Sequence, residues 1–229
     1  MPEAIGLASV DRLTELAEPE LQDYVVGVSE YVREHARLSP GKAKAAQIRL
    51  SAGLGRALVR ELRREVPGLS AVTGEQSIAG ALRTVKADVS ESNDLDGLRL
   101  AVEIKPVNVA VGRALWNRFG DIRTFAVNLH LKFPFAVVGG VLVIPTYEEN
   151  RGSRRDTRHL IHRAVQRLVR AGGRRSEGDA PHLLEGVCVL VYDPGSASLD
   201  RELPVGGSGL RWEEFVRDLA HAYQARFDT

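Results

Sequence analysis

From Lys86 to Lys105, polar and apolar residues alternate on both sides of Asp94, Asp96 and Gly97. A period of two is the strand period, and Asp and Gly close together supply the turn between two strands. The stretch therefore predicts a β-hairpin with strands over 82–92 and 98–107. Closing it about the turn pairs residues whose numbers sum to 191, so Asp88 lies opposite Glu103 and Lys86 opposite Lys105. Side chains directly across an antiparallel pair are ~5 Å apart. Ala87, Val89, Leu100, Val102 and Ile104 fall on the other face and form the candidate core surface.

Two carboxylates that close repel one another unless a cation lies between them or one keeps its proton. Asp88 and Glu103 suit a hard divalent cation such as Mg2+, which takes oxygen ligands from one or two carboxylates and fills its other positions with water and phosphate oxygens. The Ile104 carbonyl is a further oxygen donor in reach. Lys105 shares the Glu103 face and would hold a water beside the metal. The alternative is a solvated sheet face on which Glu103 and Lys105 form a surface ion pair worth little. Asp96 is a rival to Asp88, but it precedes Gly97 as turn residues do.

An acidic residue on one strand, followed ten to thirty residues later by an acid-any-lysine triplet on the next, resembles the signature of the PD-(D/E)XK nuclease superfamily, which includes many type II restriction endonucleases. Asp88 and Glu103-Ile104-Lys105 carry the resemblance, with Ala87 where the family often has proline. It implies a Mg2+-dependent DNA endonuclease of restriction or phage-defence type, with Mn2+ able to substitute and 5′-phosphate products. Asp88, Glu103 and the Ile104 carbonyl would hold the metal, and Lys105 would serve the attacking water. Superfamily members often add a glutamate from the first core helix; Glu61 is favoured for it, with Glu65 and Glu75 as other options. Double-stranded DNA is the implied partner, a homodimer supplies two cutting centres, and a companion DNA methyltransferase encoded nearby would fit a restriction role. Two other readings keep the fold: a repair or junction nuclease, and a non-catalytic DNA-binding subunit. The second has no use for repelling carboxylates.

The remaining pattern predicts an α/β (α+β) fold. Helices are expected over 11–17, 20–37 and 42–66, with Gly53 and Gly55 weakening the middle of the last. A strand over 69–77 precedes the hairpin, and a helix over 111–132 follows it. Apolar runs over 135–146 and 182–193 read as buried strands, separated by a helix over 155–171; a helix over 211–227 closes the chain. The order α-β-β-β-α-β, with added N-terminal helices and a C-terminal β-α, matches the restriction-endonuclease-like core that the resemblance implies, a mixed central sheet of about five strands flanked by helices. Residues 1–40 are expected as a helical segment packed on the core or at a dimer interface, and 41–229 as the nuclease domain.

A net charge of +1 gives no global signal for nucleic acid, so any such signal must be local. It lies in 151–175, where nine arginines accompany His159 and His162 against the one acid Asp156. Arg154, Arg155, Arg158, Arg163 and Arg167 are the candidate phosphate contacts, because the guanidinium fork donates two hydrogen bonds to phosphate oxygens. Asn108, Arg113, Asn117 and Arg118 are candidates to face DNA from the helix after the hairpin. For both groups the alternative is a solvated helix face. The single Cys188 sits in an apolar run and forms no internal disulfide, and no stretch approaches the ~20 apolar residues of a membrane span. The expected location is the cytoplasm.

Overall fold

The computed structural model describes residues 19–150 and 153–227. The helix expected over 11–17, and Arg151, lie outside the described residues. Helix α1 (Pro19–Glu34) and a short 3-10 turn (His35–Arg37) lead into α2 (Pro40–Glu65). Strands β1 (Val72–Ala79), β2 (Thr84–Asn93) and β3 (Gly97–Pro106) follow, then α3 (Val111–His130) and β4 (Val137–Pro145). A small hairpin, β5 (Tyr147–Asn150) and β6 (Ser153–Asp156), precedes α4 (Arg158–Leu168), β7 (Gly186–Asp193), β8 (Ser198–Leu199) and α5 (Trp212–Phe227).

The fold is α+β, with a mixed six-stranded sheet in the order β1-β2-β3-β4-β7-β8. The first three strands meander antiparallel, β3, β4 and β7 run parallel, and β8 returns antiparallel. Each face carries its own core. On one face Val89, Leu100, Val102 and Ile104 pack with Leu54 and Leu58 of α2 and Phe215 and Leu219 of α5. On the other, Ala101, Val138 and Leu142 pack with Leu115, Ile122 and Phe125 of α3 and Ile161 of α4. The parallel strands β4 and β7 are buried on both faces, which is why they read as unbroken apolar runs.

Glycines on the sheet set how closely the helices approach. A Cβ on Gly140 would lie 2.5 Å from Ile122 of α3, and one on Gly186 2.9 Å from Phe215 of α5. Gly55 serves the same purpose on α2, where a Cβ would meet Val89 at 3.2 Å. The glycine that weakens the helix locally is thus what seats it on β2. Gly140→Ala is expected to overpack the α3 face and cost about 1–3 kcal/mol, read as a lower denaturant midpoint at unchanged slope.

Several expectations need correction. The sheet has six strands, not about five, and the β5–β6 hairpin occupies part of what reads as loop and helix start. Those strands are four polar residues each, too short and too polar for alternation to betray them. The fourth helix starts only at Arg158, where the Asp156 carboxylate accepts the Arg158 N–H at 2.7 Å. Ala87 does not share a core with Val89: Val85 and Ala87 pack beneath α3, and Val89 beneath α2. The neighbouring β1 carries a bulge between Thr73 and Gln76, which bends that strand and sharpens its local twist. Of the two placements expected for the N-terminal segment, the apolar stripe of α1 (Leu21, Tyr24, Val25 and Val28) takes the chain's own core.

Candidate active site

The hairpin keeps the predicted register over three pairs, but the ladder stops short of the expected Asp88–Glu103 and Lys86–Lys105 pairs. Val89 pairs with Val102, Ser90 with Ala101 and Glu91 with Leu100, and the register slips by one only beside the turn, where Ser92 meets Leu98. One step beyond the Val89–Val102 pair Asp88 changes the pattern. Its Oδ2 accepts the Ile104 N–H at 2.7 Å, so a carboxylate stands where a ladder bond would continue. Main-chain N–H and C=O of one residue point to the same strand edge, so the Ile104 carbonyl faces the same gap. On β3, Glu103 is 8% exposed and its Oε1 meets Lys105 Nζ at 2.5 Å. Its Oε2 is buried with no hydrogen-bond partner.

These groups open into a cleft of about 640 Å³ whose walls come from both helical layers. Lys44, Gln47 and Ser51 line it from α2, and Arg118, Asp121 and Phe125 from α3. Gly74, at φ +98°, forms the β1 bulge and brings Glu75 into the same wall. Each peripheral acid has a basic neighbour: Glu75 meets Lys86 at 2.5 Å, and Asp121 meets Arg118 at 3.0 Å. Burial raises the Asp88 carboxyl above its ordinary range, against the pull of the Ile104 N–H and Lys105, with Glu75 adding to the rise. Burial likewise raises Glu103; Lys105 opposes it, and the charges of Asp88 and Asp121 reinforce it.

The donor set fits a hard divalent cation. Buried polar atoms are nearly always satisfied in folded proteins, and Glu103 Oε2 is a buried acceptor without a donor. Asp88, Glu103 and the Ile104 carbonyl are all oxygen donors, as Mg2+ prefers. Among the described residues no group of three or more His, Cys, Asp and Glu is placed to hold a metal. Protein ligands alone would therefore leave the ion mostly hydrated, the usual state of Mg2+ beside phosphate.

The other predicted residues divide. Glu61 does not line the cleft: its Oε1 accepts the Trp212 indole N–H at 2.7 Å, joining α2 to α5. It lies nine residues beyond Ala52, the last cleft residue of α2, or roughly 14 Å along the axis at 1.5 Å per residue. Helical pattern alone does not tell which turn of a 26-residue helix reaches the site. Asn108 is 3% exposed and accepts the Tyr192 hydroxyl at 3.1 Å, so it is a core residue and cannot face DNA. Arg113, Asn117 and Arg118 are exposed on α3, and Arg118 enters the cleft wall. Arg154 stacks 3.4 Å from the Tyr147 ring centre, and Arg155 lies 3.9 Å from Glu148. Arg158, Arg163 and Arg167 are exposed on α4, the last two against the Trp116 ring. Arg174 leaves the basic surface altogether, being buried against Glu185 at 3.0 Å.

Of Glu61, Glu65 and Glu75, Glu75 lines the cleft. Asp121 has no signal in the sequence, because only the crossing of α3 over β3 brings it near Glu103. The cleft, the β5–β6 hairpin and the start of α4 all follow the carboxyl ends of β3 and β4, where open α/β sheets bind their ligands. Comparison with models of protein families, with characterised proteins and with solved structures finds no match to this chain.

Proposed function

We propose that the protein is a divalent-cation-dependent nuclease that hydrolyses phosphodiester bonds in DNA. One observation carries this reading: Asp88, Glu103 and Lys105 converge in a single cleft, with a buried Glu103 oxygen lacking a donor. Asp88, Glu103 and the Ile104 carbonyl would hold Mg2+ or Mn2+, which supplies positive charge to the scissile phosphate and acidifies water. Asp88 is fixed by the Ile104 N–H, so its carboxylate needs no reorganisation to take up its role. Lys105 is held by Glu103 at 2.5 Å in a site where its ammonium can orient the attacking water and stabilise negative charge growing on phosphate. Gln47, Lys44 and Arg118 line the walls that a strand would pass.

The exposed arginines of β6 and α4 are proposed to carry the duplex backbone. Such contacts orient a duplex without reading its sequence. Cutting both strands calls for two centres, so a homodimer belongs to the proposal; its surface would exclude the buried stripe of α1.

Titrating Mg2+ or Mn2+ into the protein with mixed linear and supercoiled duplexes is expected to produce cuts ending in 5′-phosphate and 3′-hydroxyl, abolished by chelation. Binding that survives chelation with no cutting at any metal concentration would replace the nuclease with a binding module. Protons compete with the cation for the same oxygens. Because both carboxyls titrate above their usual range, metal affinity is expected to fall on acidification at a higher pH than for ordinary carboxylates. Calorimetric Mn2+ titrations over a pH series check this. Affinity that holds until the normal carboxylate range would contradict it.

A further inference from the structure

At the other side of α3 lies a second concavity, of about 650 Å³, lined among others by Arg113, Trp116, Glu148, Arg155, His159 and Arg163. It shares no lining residue with the catalytic cleft. Arg113 and the cleft residue Arg118 are five positions apart on α3, about 140° round the helix at 100° per residue.

Its chemistry is cationic and aromatic together. Arg113, Arg155 and Arg163 face one carboxylate, Glu148, whose Oε2 already accepts the Val111 N–H at 2.8 Å. Glu148 is 3.9 Å from Arg155, and among the described residues no carboxylate pairs with Arg113 or Arg163. Trp116 is partly buried, with the Arg163 guanidinium 5.7 Å and that of Arg167 4.2 Å from its ring centre. Indole and guanidinium planes together make a wall on which a heteroaromatic ring can stack. A purely apolar ligand would strip water from three arginines without replacing it, and a bare anion would leave the indole wall unused. The concavity is open to solvent along much of its rim and has room for a small organic ligand.

We propose that this pocket binds a single nucleotide unit, with its phosphate on Arg113, Arg155 and Arg163 and its base against the Trp116 wall. The unit can be a free nucleotide or a terminal or unpaired nucleotide of a strand. The strand source rests on the nuclease reading, whereas the pocket chemistry does not.

The chain has two tryptophans, and Trp212 is 4% exposed with its indole N–H on Glu61, so a fluorescence change on ligand addition reports Trp116. Titrating a nucleoside monophosphate into the full chain, with chelator and no divalent metal, is expected to change that emission saturably. Arg113→Ala and Arg163→Ala, both at exposed positions, should each weaken the affinity about tenfold, as loss of a charge-assisted hydrogen bond does. The parent nucleoside and inorganic phosphate alone should bind at least tenfold more weakly than the monophosphate. A 5′-phosphorylated oligonucleotide that displaces the monophosphate identifies a strand as the source; one that fails to displace it identifies a free nucleotide. No emission change, equal binding of nucleoside and monophosphate, or unchanged affinity in both arginine variants would overturn the proposal. None of these readouts uses cleavage, so the pocket and the nuclease centre can fail separately.

Discussion

Glu103→Gln is expected to lower the cleavage rate by at least about 10³-fold, the scale of removing a charge-stabilising group from a preorganised centre, while leaving the protein as stable as before. The two halves of this expectation have one cause. Glu103 is 8% exposed, its carboxyl is raised by burial, and one of its oxygens lacks a donor. On the proposed reading, a charge held that way serves a bound cation and not the fold. A carboxyl whose folded pKa lies above its unfolded value favours the folded state while protonated and loses that contribution as pH rises through the folded pKa. Glutamine is the permanently neutral counterpart and should unfold at an equal or higher denaturant concentration near neutral pH. Lys105→Ala should lose activity to a similar degree, since the same cleft then lacks its cationic partner for water. Cleavage assays on the two variants beside unfolding curves check both halves. A variant that loses activity only because it unfolds would assign Glu103 to the fold.

Glu185→Gln is expected to do the opposite, destabilising the chain by about 3–5 kcal/mol, the range for breaking one partner of a buried ion pair, without touching the cleft. Glu185 sits where β4 and β7 begin. Its Oε1 takes Arg174 at 3.0 Å and Arg226 at 2.8 Å, and its Oε2 accepts the Val138 N–H at 2.8 Å and lies 3.2 Å from His130 Nε2. The Arg174 and Glu185 side chains are 1% and 0% exposed. Removing the carboxylate leaves a guanidinium in the interior with no countercharge. The pH dependence follows from the same contacts. Burial would raise the Glu185 carboxyl, but the His130 hydrogen bond, the His130 and Arg226 charges and the Val138 N–H outweigh it and hold the group below its ordinary range. A depressed carboxylate stabilises the fold above its unfolded pKa of ~4.3 and loses that contribution as pH falls through the folded value. Wild-type stability should therefore drop more steeply on acidification than that of the glutamine variant, which is already low and keeps only the contributions of the other depressed carboxylates such as Asp193. Parallel curves for the two proteins would contradict this account.

How much the sequence disclosed depended on which forces act locally. The hairpin was legible because alternation and a Gly-containing turn mark it, and the pairing from Val89–Val102 to Glu91–Leu100 follows from them; the end of the ladder before Asp88 and Glu103 does not. The buried strands β4 and β7 were legible because two covered faces demand unbroken apolar residues. Gly55 misled, since a helix-weakening residue was in fact a contact surface for β2. Glu61 and Asn108 misled for another reason. Helical and strand patterns say that a side chain lies on an element, but not whether Trp212 or Tyr192 will reach it first. Asp121 and Glu75 enter the cleft through a helix crossing and a bulge, neither of which has a local sequence code strong enough to read alone. Arg174 counted as surface charge until the fold supplied Glu185, eleven residues away, as its buried partner.

Asp88 and Glu103, joined by the Ile104 carbonyl, are proposed to hold a hard divalent cation. Crystals soaked in MnCl2 and measured at a wavelength where manganese scatters anomalously test it directly. The account predicts a peak within coordination distance of an oxygen from Asp88 and of Glu103 Oε2, lost in Glu103→Gln crystals treated identically. A peak elsewhere in the molecule with none in this cleft, or one that persists in the variant, would contradict it.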